Sequence, residues 1–312
     1  MSEGGKTAGY LKERILDMNI EAIRAVAEKY DAQTTGDLGF LFTDLKSGET
    51  VAVNPDKEMP AASTFKVFLL AEFLRQCEAG KYDLMDRHEL KAEFISPGSG
   101  VLCDLLPGMN LTLLDYARLM MMLSDNTATD YLYSLTGRDN IKNNVIDAFG
   151  LTKTKCDYPC KLLIETYFDR SHKVLEGERN WRNTADYLCL TPTNDSTSPR
   201  DMETVLKMAY EKTLFSPWVS EQMIDIMKRC HTNSRIPKEL PREVEVAHKT
   251  GTMDKVANDC GIVYTEKGDY ILCLFYNGNV ASQEEYDANY RGRMSDGLLA
   301  KISREVYDAY MA

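Results

Sequence analysis

Apolar and polar residues alternate along the chain with two different periods. Residues 11–29 carry apolar side chains at every third or fourth position, which predicts an amphipathic helix. GFLFTD (39–44) and TVAVN (50–54) are short runs of strand character, and the turn sequence LKSGE joins them. This first part of the chain is therefore predicted to form a helix followed by a β-hairpin.

The middle of the chain has helical patterns up to about residue 149. Residues 151–199 are polar and aromatic, with no clear period. A span of this length without regular elements is usually functional or disordered rather than a plain connection. The predicted helices are one that begins near Ser63, LTLLDYARLMMML (111–123), TATDYLYSL (127–135) and NIKNNVIDAF (140–149).

Strand-like runs return in the last third of the chain. Strands at both ends with helices between them predict one sheet flanked by terminal helices, with an inserted all-helical domain. A cleft between two such parts is the usual place for a small-molecule site. The predicted elements here are helices at 201–211, about 216–230 and about 293–311, and strands at 243–250, 261–266 and 270–276.

The charge balance narrows the classes of partner. With 37 Lys and Arg against 48 Asp and Glu, the formal net charge is −11. This disfavours nucleic acid and anionic membranes, because phosphate binding needs clustered basic residues. No run of 18 apolar residues predicts a membrane span. We therefore expect a small-molecule substrate, with no nucleic acid and no membrane insertion.

The N-terminal sequence MSEGGKTAGYLKERILDM has no apolar segment followed by a cleavage site. We expect a cytoplasmic protein, and a periplasmic or secreted one if a leader has been removed. The eight cysteines are scattered, and in the cytosol such cysteines are mostly reduced and buried. Cys156 and Cys160, in CDYPC, leave a metal or disulfide pair as the weaker alternative.

Ser63 and Lys66 are the first candidates for catalysis. On a helix, side chains three residues apart share one face, so the hydroxyl and the amine can meet. The apolar neighbours of Lys66 in ASTFKVFLLAEFL would desolvate its amine, which lowers a lysine pKa and allows the amine to accept a proton. The alternative is that Ser63 caps the helix and Lys66 points to solvent, since S-x-x-K alone is a common pattern.

Two further tripeptides favour the catalytic interpretation of Ser63 and Lys66. SDN (124–126) lies between two predicted helices, and KTG (249–251) lies at the end of a predicted strand. Each has a structural alternative, a helix cap for the first and a turn with a solvated lysine for the second. Their occurrence together, in this order after S-x-x-K, is the signature of class A β-lactamases and penicillin-binding proteins.

The chain resembles this class A β-lactamase and penicillin-binding-protein family from about residue 35 to its end. Three further stretches are similar to segments of the family: NDSTSPRDM (194–202), NSRIPKELP (233–241) and NDCGIVY (258–264). The resemblance implies an α/β (α+β) fold of the β-lactamase/transpeptidase type, with an antiparallel sheet. The implied division is an α/β domain of residues 1–61 and 200–312 and a helical domain of residues 62–199, with 151–199 as an omega-loop-like segment.

The resemblance also implies catalytic roles. Ser63 would be the acylated nucleophile, and Lys66 its activating base or proton relay. Ser124 would pass a proton to the leaving nitrogen. The backbone N–H groups of Ser63 and Thr252 would form the oxyanion hole.

Other family positions imply substrate binding. Asn126 would bind the side-chain amide of the substrate. Lys249, with Thr250 or Thr252, would bind a substrate carboxylate. Gly251 would permit a close backbone approach.

The deacylating part of the site departs from the family pattern. The family holds a water with an omega-loop glutamate, and that position corresponds here to Cys160 in TKCDYPCKLLI. Glu165 is near enough in sequence to substitute for it. The alternatives are a surface role for Glu165 and a contribution from Glu176, Glu178 or Asp186.

We therefore expect a serine hydrolase that cleaves a β-lactam or a related amide or ester through an acyl-Ser63 intermediate, with no cofactor and no metal. A first alternative is a penicillin-binding or sensor-type protein that acylates at Ser63 but deacylates slowly or not at all. A second is a non-catalytic scaffold that has kept the fold.

Overall fold

The computed structural model describes residues 19–34, 36–165, 194–253, 256–278 and 294–312. Part of the first predicted helix (11–18) and most of the omega-loop-like segment (166–193) therefore lie outside the described residues.

The centre of the fold is a five-stranded antiparallel sheet with the strand order β2-β1-β9-β8-β7. Its strands come from the two ends of the chain, as the sequence predicted. Two short pairs, β3 with β6 and β4 with β5, lie outside this sheet. The strands are β1 (Asp37–Asp44), β2 (Thr50–Val53), β3 (Met59–Pro60), β4 (Arg87–Glu89), β5 (Asn110–Thr112), β6 (Ser196–Thr197), β7 (Glu245–Met253), β8 (Val256–Tyr264) and β9 (Tyr270–Asn277).

Helices cover both faces of the central sheet. The described α-helices are α1 (19–33), α2 (Lys66–Glu78), α3 (Leu113–Met122), α4 (Asn126–Thr136), α5 (Arg138–Ile141), α6 (160–165), α7 (Pro199–Tyr210), α8 (Pro217–Met227) and α9 (Met294–Met311).

Two apolar clusters, one on each side of the sheet, form the core. One contains α2, α3 and α4 and the side chains of one sheet face, such as Leu41 and Ile271. The other contains α1, α9 and the opposite face, such as Phe40 and Leu272. Alternate residues of the same strands thus enter different clusters, because successive side chains of a strand point to opposite faces.

The fold class predicted from the sequence is confirmed by this mixed architecture of antiparallel sheet and helices. Two predicted helices differ locally. The helix predicted to begin near Ser63 starts as a 3₁₀ turn, Ala62–Phe65, before α2. The helix predicted at 140–149 is the short α5 followed by a π-helical turn, Lys142–Asp147. The division into domains at residues 61/62 and 199/200 stays a prediction.

No helix of the described residues is long and apolar enough to cross a membrane.

Candidate active site

Ser63 lies on the 3₁₀ turn between β3 and α2. Side chains three residues apart are eclipsed in such a turn, so its geometry favours Ser63 and Lys66 on the same face. The turn begins abruptly, since Ala62 has a φ of 44°, a backbone conformation that costs energy for a residue with a side chain. It is held from below by Asn258, whose Nδ2 donates to the carbonyls of Pro60 (2.8 Å) and Ala61 (3.1 Å). The tertiary structure thus fixes a turn that local preference would not form.

Lys66 is fully buried. Its Nζ donates to the Ser124 carbonyl at 2.7 Å, to Ser124 Oγ at 3.1 Å and to Asn126 Oδ1 at 2.9 Å. Burial lowers the pKa of the Lys66 amine, and the nearby Cys160 and Asp130 oppose this shift. The alternative that Lys66 points to solvent is therefore wrong, because its amine is inside the protein.

Ser124 and Asn126 are positioned by a helix start. Ser124 has a φ of 54°, and Asp125 caps α4 by accepting from the Ala128 N–H at 2.9 Å. Asn126 Nδ2 donates to the Pro97 carbonyl at 2.9 Å, so a neighbouring loop holds the amide in place. SDN is thus a helix cap, as one alternative proposed, and it also delivers two side chains to Lys66.

Lys249 reaches the same hydroxyl from the opposite side. It is fully buried on β7, and its Nζ donates to Ser124 Oγ at 3.0 Å and to the Thr250 carbonyl at 2.7 Å. Burial and the charge of Lys66 lower the pKa of Lys249 to about 7. The alternative of a solvated lysine on an edge strand is therefore wrong. Two amines with lowered pKa values share one serine hydroxyl.

Gly251 brings β7 against the turn that carries Ser63. A Cβ at this position would lie 2.8 Å from the Ala61 carbonyl oxygen and 3.1 Å from Thr64 Cγ2. Contacts of that kind are too short for any larger residue without a shift of the backbone. Glycine is thus required here for close approach, and not for a turn.

Arg235 is a residue of the site to which no sequence motif gave a role. Its side chain is 2% exposed, and its Nε donates to Asp296 Oδ1 at 2.7 Å. Nη1 donates to the carbonyls of Gly251 and Asn258, and Nη2 donates to Thr252 Oγ1 at 2.6 Å. This planar fork fixes the end of β7 and adds positive charge beside Thr252. An arginine within NSRIPKELP, a stretch already seen to resemble the family, was the available signal.

A second buried charged pair supports β7 from behind. His248 Nδ1 lies 2.8 Å from Asp259 Oδ1, and both side chains are at most 1% exposed. Although burial opposes the charge, Asp259 raises the pKa of His248 to about 10. Asp259 Oδ2 also accepts from the Ile236 N–H at 2.9 Å, which ties the segment containing Arg235 to the sheet.

A cavity of about 290 Å³ opens over Ser63. Lys66, Ser124 and Lys249 are buried, and Lys66 contacts the cavity residue Asn126. The residues around it are Ala62, Ser63, Phe65, Gly98, Ser99, Asn126, Cys160, Leu163, Ile164, Asn194, Asp195, Thr252 and Met253.

Cys160 occupies the cavity wall at the start of α6. Burial raises the pKa of its thiol to about 12, so the group is neutral at physiological pH. Cys156 and Cys160 are both buried free thiols, so the proposed disulfide between them is not formed. Within the described ranges, no group of His, Cys, Asp and Glu side chains could hold a metal ion.

Glu165 is exposed at the end of the described part of α6, and it is not among the described residues around the cavity. The structure therefore does not bring this candidate to Ser63. The other acidic alternatives, Glu176, Glu178 and Asp186, lie outside the described residues.

The remaining candidates converge on one place. Ser63, Asn126 and Thr252 border the cavity, and the two lysines meet at the hydroxyl of Ser124, two residues before Asn126. A serine near amines that can hold or release a proton suits acyl transfer. The oxyanion hole formed by the backbone N–H groups of Ser63 and Thr252 stays a prediction.

Comparison with known proteins gives the family. The profile of the β-lactamase enzyme family matches residues 19–310. A β-lactamase of Bacteroides uniformis is 26% identical over 284 residues, which cover 84% of this chain and 82% of that protein.

Solved structures of similar proteins support the same family. A β-lactamase from Sphaerobacter thermophilus has a TM-score of 0.74 and 26% identity, over 93% of this chain and 97% of that one. A mutant of PBP-A, solved as an acyl-enzyme complex with penicillin G, has the same TM-score of 0.74 and 26% identity, over 93% of this chain and 96% of that one. The chain belongs to the β-lactamase enzyme family and is a serine hydrolase of the β-lactamase type.

Proposed function

We propose that this protein opens a β-lactam, or a related strained amide or ester, through an ester intermediate on Ser63. The observation that carries this proposal is the shared hydroxyl of Ser124, which lies 3.1 Å from Lys66 Nζ and 3.0 Å from Lys249 Nζ, two residues before Asn126 in the wall of the cavity that contains Ser63. Proton transfer among these groups is possible because burial lowers the pKa of both lysines.

Acylation follows from this arrangement. The amine of Lys66, once neutral, takes the proton of Ser63 as the hydroxyl oxygen attacks the substrate carbonyl. The new oxyanion is held by the backbone N–H groups of Ser63 and Thr252. The C–N bond then breaks, and Ser124 delivers to the leaving nitrogen a proton that one of the two lysines replaces.

Binding of the substrate uses residues at the end of β7, together with Arg235 and Asn126. Thr250 and Thr252 offer hydroxyl groups for a carboxylate, and Lys249 and Arg235 make the local potential positive. Asn126 is held at the cavity edge, where its amide can bind an amide of the substrate side chain. A small anionic amide therefore fits the charges of this site.

A second candidate function is acylation with slow or no hydrolysis. The observation that favours it is Cys160, a neutral thiol at the wall position where the sequence comparison placed the family's water-activating glutamate. The similar PBP-A mutant was captured as an acyl-enzyme with penicillin G. Both candidates share the first step and differ in the lifetime of the ester.

Mass spectrometry of the intact protein, mixed with a chromogenic cephalosporin, tests the proposal. We expect the adduct mass to appear on the wild-type protein and to be absent from Ser63→Ala. Ser47→Ala, in the exposed turn between β1 and β2, is the matched control and should acylate normally.

Colour development separates the two candidates. Steady turnover with a transient adduct supports hydrolysis, and a lasting adduct without turnover supports the second candidate. An adduct that survives Ser63→Ala would contradict both. The cytoplasmic location, or a periplasmic or secreted one if a leader was removed, stays a prediction.

A further inference from the structure

Asp195 is a carboxyl group in the wall of the cavity that contains Ser63. Its side chain is buried, and the residue is 1% exposed. Among the described residues around the cavity it is the only acidic one. It lies within NDSTSPRDM, one of the stretches that resemble the family.

The two oxygens of this carboxyl have different surroundings. Oδ1 accepts from the Asp157 N–H at 2.8 Å. Oδ2 is buried and has no hydrogen-bond partner among the residues that the structure describes. An unpaired buried polar atom is costly, and in native proteins it often marks a functional group.

The backbone places Asp195 next to the nucleophile turn. Its carbonyl accepts from the Ala61 N–H at 3.0 Å, and the following residue, Ser196, pairs with Pro60 between β6 and β3. Ala61 is two residues before Ser63. The strand pair therefore holds Asp195 and Ser63 against the same cavity.

Other groups near Ser63 are less suited to accept a proton from water. The Cys160 thiol, with its pKa raised to about 12, is a poor acceptor in its prevailing neutral form. Asp130 is already occupied, because it accepts from the Cys160 and Lys161 N–H groups and from the Ser96 hydroxyl. Glu165 is exposed and is not among the described residues around the cavity.

We propose that Asp195 is the proton acceptor for the water that hydrolyses acyl-Ser63. This inference rests on the proposed function, because it needs the ester on Ser63. Water attacks the ester carbonyl and its proton passes, directly or through further water, to the Asp195 carboxylate. The bond between the acyl carbon and Ser63 Oγ then breaks, and the proton held by Asp195 passes through water to Ser63 Oγ. The acid product leaves, and the Asp195 carboxylate is restored.

The charge state of Asp195 makes this step depend on pH. Burial raises the pKa of the carboxyl to about 8, although the hydrogen bond from the Asp157 N–H opposes the shift. Only the carboxylate can accept a proton, so the deacylation rate should rise with pH and level off above about pH 8. The titratable groups that act on Asp195 or feel its charge are Asp157, Arg138, Tyr133, Cys156 and Cys160.

The test is the decay of the penicillin G adduct, followed by intact mass between pH 6 and 9.5. Asp195→Asn keeps an acceptor for the Asp157 N–H but cannot take a proton. We expect acylation within a few-fold of wild type, deacylation about 100-fold slower at pH 8.5, and loss of the rise with pH. Asp225→Asn, on an exposed part of α8, is the control and should behave as wild type.

Asp157→Asn gives a second readout that keeps the Asp195 carboxyl. The Asp157 charge raises the pKa of Asp195, so its removal should move the midpoint of the pH profile below 8. This variant decides the question if Asp195→Asn fails to fold.

The outcomes separate this inference from the proposed function. If the wild type forms no adduct, the proposed function fails and the inference falls with it. If the adduct forms but Asp195→Asn decays at the wild-type rate, or more slowly with an unchanged pH profile, Asp195 is a structural residue only. A wild-type adduct that never decays, or a selective loss of deacylation in Glu165→Gln, would also overturn it.

Discussion

At the scale of single residues, burial decides the chemistry of this site. Lysine is rarely buried without a partner, yet Lys66 and Lys249 both place their amines inside and share the Ser124 hydroxyl. Each amine is desolvated, and the two charges repel each other. The result is a pair of lysines with lowered pKa values, and Lys249, with a pKa of about 7, can change charge close to neutral pH, which a surface lysine cannot do.

The lowered pKa of Lys249 predicts a pH dependence of substrate binding. Its ammonium is present below about pH 7 and is lost as the pH rises above that value. We expect the KM for a penicillin with a free carboxylate to increase several-fold between pH 6 and 9, measured by steady-state kinetics. Lys249→Arg keeps its charge and should remove this increase. A KM that stays constant in the wild type would show that Lys249 does not supply the binding charge.

At the scale of elements, the site depends on the contact between β7 and the turn before α2. Gly251 allows the approach, Asn258 ties the turn to β8, and Arg235 fixes the end of β7. The helices and the hairpin could be predicted from local periodicity, because their apolar positions repeat regularly. The 3₁₀ turn at Ser63 and the π turn after α5 could not, because distant contacts impose them.

Gly251→Ala is predicted to impair the site without exchanging any reacting group. The added Cβ would meet the Ala61 carbonyl at 2.8 Å, so β7 must move away from Ser63. We expect acylation by a chromogenic cephalosporin to slow at least about 10-fold, because catalytic geometry tolerates little displacement. The control is Gly297→Ala in α9, where a Cβ has open space. An acylation rate within two-fold of wild type would contradict the close-approach role of Gly251.

At the scale of the whole molecule, both apolar clusters pack against the same central sheet. Leu41 and Ile271 belong to the cluster of the inserted helices, and their strand neighbours Phe40 and Leu272 belong to the cluster of the terminal helices. Neither cluster can lose its packing without disturbing strands that the other needs. The two sides of the molecule should therefore unfold together.

Leu70→Ala and Leu272→Ala test this coupling from opposite sides of the sheet, since both side chains are fully buried. We expect each to lower the free energy of unfolding by about 2–5 kcal/mol, with a single transition in urea that is the same by far-UV and near-UV circular dichroism. Leu106→Ala, with the residue 83% exposed, should change it by less than about 0.5 kcal/mol. Two separate transitions, of which each variant shifts only one, would contradict the prediction.

The sequence by itself determined most of the helices and strands and the fold class, and it predicted the acylating residues. Apolar periodicity is a local property, and three short motifs in one order identify a family whose chemistry needs those side chains. Only the tertiary structure decided the charge states of the lysines, the part played by Arg235, and the exclusion of Glu165 from the cavity. It also brought Asp195 into the wall of the cavity that contains Ser63, from a position more than a hundred residues away. Burial and unpaired hydrogen-bonding atoms depend on which distant segments meet, and no local pattern records that.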